Sequence, residues 1–251
     1  MQLAVRIAIA FLTIVPLPLP AHLTTEQLAR SAAFFPLAGW LLGGLLAGAA
    51  WFCQFLQLPA QVAAVLLVAL AAWLSRGLHL DGLADLADGL GGSHEPAKRL
   101  AIMKDSATGA FGAIALVLLL AMKISCLAAL YERGAALFFF LWAVPVMARW
   151  AMATLAWRTR YPRLSGTGHG FVGRVRGGDL LVGALLLLPF FFWQGPAALV
   201  VLCAALLPPF LLRQAASRAL GGITGDVLGA SCELAEACAF VAAVAFPFLL
   251  S

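Results

Sequence analysis

The chain has 251 residues, of which 63% are hydrophobic and 11% charged, with a net charge of +5 and a mean hydropathy of +1.00. So little polar surface excludes a soluble domain of this length, and the long uninterrupted apolar runs argue against a β-barrel, whose strands alternate. The expected fold is all-α, a polytopic transmembrane helical bundle forming a single integral membrane domain over 1–251.

Residues 2 to 15 read as a short apolar helix containing Arg6 and closed by the run Pro16-Leu17-Pro18-Leu19-Pro20. No small-residue cleavage site follows, so a re-entrant or interfacial helix is expected there rather than a signal peptide. About seven spans follow, over 32–57, 60–78, 110–130, 134–156, 179–194, 196–213 and 227–250, each near the roughly 20 residues a bilayer needs. The fifth is short. Gly43, Gly44 and Gly48 predict close helix packing in the first span, and the Pro208-Pro209 pair predicts a kink in the sixth. The five cysteines (Cys53, Cys126, Cys203, Cys232 and Cys238) form no CxxC pair and fall mostly inside apolar runs. They read as small core residues, not as a zinc site or a disulfide framework.

The loops after spans two, four and six hold nearly all the loop charge: Lys98, Arg99 and Lys104 in the first, Arg158, Arg160, Arg163, Arg174 and Arg176 in the second, Arg213 and Arg218 in the third. The opposite loops offer only Glu132 and Arg133. By the positive-inside rule the basic side is cytoplasmic, which predicts a protein of the bacterial inner membrane with its site facing the cytoplasm. A missed span would scatter these loops over both faces.

Between His79 and Gly112 the chain concentrates Asp81, Asp85, Asp88 and Asp105 beside Lys98, Arg99 and Lys104. On a helix, Asp81, Asp85 and Asp88 would fall within an arc of about 60°. Such a carboxylate stripe, separated by Gly82, Ala84, Ala87 and Gly89, suits Mg²⁺ bridging to phosphates. The alternative is a solvated helix face, in which three unpaired carboxylates would repel one another. In MKDSATGAFG, Lys104 and Ser106 flank Asp105, an arrangement for holding a phosphate or a second metal ligand, or else a helix N-cap.

The segment from Arg163 to Gly178, RLSGTGHGFVGRVRGG, is rich in glycine and basic residues. Its backbone amides with Arg174 and Arg176 suit a diphosphate, although a flexible connector has the same composition. His169 within it is a base, a substrate contact or a plain loop residue. In GGITGDVLGASCELAE, Asp226, Glu233 and Glu236 share a helix face within about 80°, with the glutamates roughly 10 to 15 Å deeper than Asp226. Acids at that depth are functional by default, unless they are paired, with Arg149 or Lys123 as the available cations. Lys123 and Arg149 read equally as snorkelling cations near span ends.

Taken together, HLDGLADLADGL, AIMKDSATGAFG and GGITGDVLGA with the following Glu233 and Glu236 resemble the cobalamin-5′-phosphate synthase family, also called adenosylcobinamide-GDP ribazoletransferases. The similarity extends to FLTIVPLPLP and AAFFPLAGWLLGG. It implies the last step of cobalamin assembly, in which the ribose hydroxyl of α-ribazole, or of its 5′-phosphate, attacks the cobinamide-side phosphorus of adenosylcobinamide-GDP and GMP leaves. The expected cofactor is Mg²⁺ on Asp81, Asp85, Asp88 and Asp226. His79 and Asp105 are the candidate bases and Lys104 a catalytic cation. Ser106, His169, Arg174, Arg176, Thr224, Glu233 and Glu236 are the expected substrate contacts. The expected partners are the two substrates and membrane lipid, without nucleic acid; self-association, or association with other cobalamin-assembly enzymes, is compatible with this reading.

Two other enzyme classes use Asp-rich helices with Mg²⁺ and a diphosphate. CDP-alcohol phosphatidyltransferases place Ala-Arg after the Asp-Gly pair, where this chain has Leu83-Ala84-Asp85. Intramembrane prenyltransferases carry two matching Asp-rich helices, whereas the distal cluster here is GGITGD with deeper glutamates. A cation or proton transporter using Glu233 and Glu236 is the non-enzyme reading, and no inverted repeat accompanies it.

Overall fold

The structure is a computed structural model that describes residues 1–246, and every regular element among them is helical. Helix α1 (Gln2–Leu12) has 11 residues, ~17 Å of helix against a hydrocarbon core of ~30 Å. It is tied to the end of a later helix, since Ile14 N donates to the Leu74 carbonyl (2.7 Å) and Arg76 Nη2 donates to the Ala10 and Phe11 carbonyls. Helix α2 (Thr25–Ser31) starts at a capping box in which Thr24 and Gln27 satisfy each other's amides,. A 3₁₀ turn then leads into α3 (Phe35–Phe55).

Helices α4 (Ala60–Leu74) and α5 (Leu78–Gly92) meet at 89°. The bend is made at Gly77, whose φ of +65° places it in the left-handed region that glycine enters without penalty,. Helix α5 therefore leaves the direction of α4 and packs against the first turns of α11 and α7, with His79 beside Gly229 and Asp88 at the start of α7. After α6 (Pro96–Ile102) come α7 (Ala110–Tyr131), α8 (Ala136–Ala156), α9 (Gly177–Leu185), α10 (Leu188–Leu220) and α11 (Gly225–Ala245). Five helical stretches are long and apolar enough to cross a membrane, 25–55, α7, α8, α10 and α11, and the bent pair α4 and α5 makes a sixth if counted as one. Residues 247–250, the end of the last expected span, lie outside the described residues.

The expected fifth span, 179–194, is two short pieces: α9, and the first turns of α10 up to a break at Gln194, the one residue of α10 with non-helical dihedrals (φ −146°, ψ 78°). The break precedes Gly195-Pro196, while Pro208 and Pro209, where a kink was expected, remain helical. The path of the chain is nevertheless the expected one. Trp150 near one end of α8 donates to the Leu180 carbonyl (3.0 Å), and Phe139 near the other end packs on Phe190 and Trp193, so 177–193 runs antiparallel to α8. The chain then returns, and Arg213 donates to the carbonyls of Thr154 and Trp157. The loops after the second, fourth and sixth expected spans thus meet at one end of the bundle.

Helices α8 and α11 form the interior. Two of the three expected glycines bring α3 onto α8: a Cβ on Gly43 would stand 2.8 Å from the Leu141 carbonyl oxygen and one on Gly44 3.2 Å from Trp142 Nε1,. Gly48, by contrast, faces open space. Cys53, Cys126 and Cys232 are buried as expected, Cys238 is half-buried and Cys203 is exposed, and all five are free thiols.

Candidate functional site

Helix α5 crosses the first turns of α11 and α7, and glycines make both crossings close. A Cβ on Gly82 would sit 2.7 Å from the Asp226 carbonyl oxygen, and one on Gly229 would sit 3.1 Å from His79 Cα. The neighbour of Gly82, Asp81, is exposed and Asp85 one turn on is half-buried. Asp226 stands on the first turn of α11, where Arg163 Nη1 donates to its Oδ2 (2.8 Å). The pair is largely buried, with 10% and 17% of the two side chains exposed. Burial, then the charges of Asp81 and Asp226, push the Asp85 carboxyl up to about 7 despite the opposing pull of Arg163,. Asp81 and Asp85 form none of the salt bridges among the described residues.

Asp88 stands beside this cluster but turns both oxygens elsewhere. Its Oδ2 accepts from Gly109 N (2.7 Å) and its Oδ1 from Gly112 N (2.8 Å), so it caps the start of α7 from another helix,. The glycines at 109 and 112 leave the space for it. The first two motifs are joined by this contact. Lys104, Asp105 and Ser106 remain exposed in the loop before α7, where Asp105 Oδ1 accepts from Ala107 N (3.0 Å) in a local turn. No hydrogen bond or ion pair joins these three to the acid cluster among the described residues.

His79, expected as a base, is 2% exposed. Neither ring nitrogen has a hydrogen-bond partner, and the side chain lines a narrow apolar cavity with Phe11, Phe35 and Phe171. Thr224 is fully buried. It caps α11 by accepting from Val227 N (3.3 Å) and donates to Asp226 Oδ2 (3.2 Å). Its contact is with the helix and with a site carboxylate rather than with solvent.

The Gly/Arg loop is packed rather than loose. Gly168 presses on the amide of Gly225, Gly173 adopts φ +74° beneath the Thr159 carbonyl, and Gly173 N donates to the Ala156 carbonyl (2.8 Å). Arg174 and His169 share a cleft with Tyr161 and Arg163. Arg176 instead reaches Glu26 of α2 (3.1 Å), while Asp179 accepts from its backbone amide (2.9 Å). Arg163, read from sequence only as part of a basic loop, is the residue that joins this loop to the acid cluster. The one signal for it was that the acidic motifs and this loop were expected at the same face.

The deeper glutamates follow the paired alternative. Lys123 Nζ donates to Glu233 Oε2 (2.8 Å) and to Glu236 Oε2 (2.6 Å), and Arg149 Nη1 donates to Glu236 Oε1 (2.6 Å). All four residues are buried. Their carboxylates are spent within the bundle, some ~10 to 15 Å along α11 from Asp226.

As the side chains stand, no group of three or more His, Cys, Asp or Glu among the described residues is arranged to hold a metal ion. Mg²⁺, however, takes one or two carboxylates and completes its octahedron with water and substrate phosphates. Asp81, Asp85 and Asp226 are of that type, and burial beside other carboxylates raises the proton affinity of Asp85 and Asp226. The donors fit such an ion better than Asp88 does, whose oxygens are committed to amides.

A family model described as cobalamin-5-phosphate synthase matches residues 4–244 of the chain. The chain is 44% identical over 246 residues to a protein of Syntrophobacter fumaroxidans, covering 91% of this chain and 93% of that one. It is 41% identical over 252 residues to one of Ectopseudomonas mendocina, covering 96% and 98%, and 39% identical over 240 residues to one of Desulfitobacterium hafniense, covering 92% of each. All three relatives are named adenosylcobinamide-GDP ribazoletransferase. No solved structure matches significantly.

Proposed function

Because the chain belongs to the cobalamin-5-phosphate synthase family, and is thereby a transferase of cobalamin synthesis, we propose that it joins adenosylcobinamide-GDP to α-ribazole or α-ribazole 5′-phosphate. The products are adenosylcobalamin, or its 5′-phosphate, and GMP. The observation that carries this reading is the α5–α11 crossing, where Gly82 against Asp226 sets Asp81 and Asp85 beside Asp226 and Arg163. That arrangement has the surplus acid of a metal–diphosphate site and a cation at its edge.

The ribose hydroxyl oxygen forms a bond to the cobinamide-side phosphorus, the bond from that phosphorus to the bridging oxygen breaks, and GMP leaves with that oxygen. When bound, Mg²⁺ supplies neutralisation of the phosphate charge and stabilises the leaving GMP. Asp81, Asp85 and Asp226 are the residues to hold it, and Asp88 fixes the start of α7 against α5. Arg163 and Arg174 carry the remaining phosphate charge. A carboxylate of the cluster takes the hydroxyl proton, since His79 is enclosed in the apolar cavity and Asp105 sits out on an exposed loop.

The basic end faces the cytoplasm of a bacterial inner membrane under the positive-inside rule, and a reporter fused near residue 168 tests this by its cytoplasmic signal. The exposed rings Trp51, Phe55, Trp73 and Phe192 meet lipid or a second copy of the chain. The transporter reading loses its basis, because Glu233 and Glu236 are held by Lys123 and Arg149. The reaction is tested with purified protein, adenosylcobinamide-GDP and α-ribazole, reading GMP and cobalamin together. Equal, Mg²⁺-dependent formation of both is expected; GMP without cobalamin, or neither product, overturns the proposal.

A further inference from the structure

Resting on the reaction above, we propose that the polar cleft beside Arg163 seats the leaving nucleotide, the GMP half of the diphosphate substrate. The cleft has a volume of about 360 Å³ and is lined by Tyr161, Arg163, His169, Val172, Gly173 and Arg174, within the roughly 300 to 1,000 Å³ of small-molecule sites.

Arg163 is the informative residue. Its side chain is nine-tenths buried, and only Nη1 is used, on Asp226. Nε and Nη2 are buried without a well-formed hydrogen bond. The Tyr161 hydroxyl stands beside the guanidinium and donates to the Ser165 carbonyl (3.3 Å). A guanidinium buried with two such under-used nitrogens is costly, and a phosphate is the acceptor that fits its fork. Arg174, exposed at the rim, adds a second cation. Because Nη1 is fixed to Asp226, a phosphate on the other nitrogens lies beside the acid cluster, where the bond must break.

Of the pieces the reaction handles, the nucleotide fits such a cleft best. The corrinoid is too large for it. α-Ribazole 5′-phosphate shares the charge of GMP, but its benzimidazole base is apolar where guanine is polar throughout. Tyr161 and His169, with ring centroids 5.5 Å apart in an edge arrangement, offer a ring face for the purine.

The test is GMP binding to the purified full-length protein in detergent with Mg²⁺, which needs no turnover. Saturable binding is expected, weakened about tenfold or more by Arg174→Ala and by the charge-conserving Arg163→Lys, with unchanged thermal unfolding for Arg174→Ala. Adenosylcobinamide-GDP should displace GMP, and α-ribazole 5′-phosphate should not. The assignment is overturned by a wild-type protein that does not bind GMP, by an Arg174→Ala variant that binds it as wild type does, or by displacement with α-ribazole 5′-phosphate. Arg174-dependent GMP binding in a protein that makes no cobalamin would leave the cleft standing and overturn the reaction.

Discussion

Helix α11 carries two charge clusters about two to three turns apart, and they differ in how their charges balance. The deeper one pairs Glu233 and Glu236 with Lys123 and Arg149, two acids with two cations, all buried. The outer one sets Asp81, Asp85 and Asp226 against Arg163 alone, three acids to one cation, a formal surplus of two negative charges. The inner cluster is closed and ties α7, α8 and α11 together. The outer cluster keeps a surplus of acid that the proposed divalent cation would balance, and on that proposal the difference separates a structural network from a reactive one.

The sharpest way to break the comparison is to remove one acid from the outer cluster. Asp81→Asn should lower Mg²⁺-dependent GMP release by on the order of 10²-fold or more while leaving thermal unfolding in detergent unchanged, because Asp81 is exposed. The inner cluster should behave oppositely. Lys123→Met strands a buried glutamate and should cost about 3–5 kcal/mol of stability, seen as a lower unfolding temperature. Adding Glu233→Gln should recover part of it. If Lys123→Met unfolds like wild type but loses activity, the inner cluster is not merely a tie.

Spacing is the next lever. Gly82→Ala puts a Cβ 2.7 Å from the Asp226 carbonyl, so α5 must move off α11. A shift on that scale should cost about 10²-fold in turnover against only about 1–3 kcal/mol in stability. Equal turnover in Gly82→Ala would separate the acid stripe from Asp226 functionally.

The smallest effect is on pH. The Asp85 carboxyl is held up to about 7 against an ordinary 3.8. The folded protein therefore binds more protons than the unfolded chain between those values, and without Mg²⁺ its stability should fall as pH rises through that window. Asp85→Asn or added Mg²⁺ should flatten the slope; a stability that rises with pH in both proteins contradicts the assignment.

Much of this was legible because charge is scarce in the chain, so acidic motifs stand out of an apolar background and their faces follow from helical spacing. The three basic loops meet at one end for the same reason. What was hidden depends on contacts distant in sequence. Nothing local to Asp88 says that its oxygens will cap a helix 21 and 24 residues on, and nothing local to Arg163 points to Asp226, 63 residues away. The pairing of Glu233 and Glu236 was available as one of two readings, but only the packing of α7 and α8 against α11 chooses it. The short fifth span was visible as short; its break at Gln194 follows from the Gly195-Pro196 pair, which a hydropathy window passes over.

The central claim is that the outer cluster's surplus of acid is a divalent-cation site serving phosphoryl-group transfer. Its most direct test is a Mg²⁺ titration of GMP release and cobalamin formation by the purified wild-type protein, run beside Asp81→Asn. The account predicts saturable Mg²⁺ dependence that chelation abolishes and that the variant loses while staying folded; turnover that persists undiminished in excess chelator, or in the variant, would contradict it.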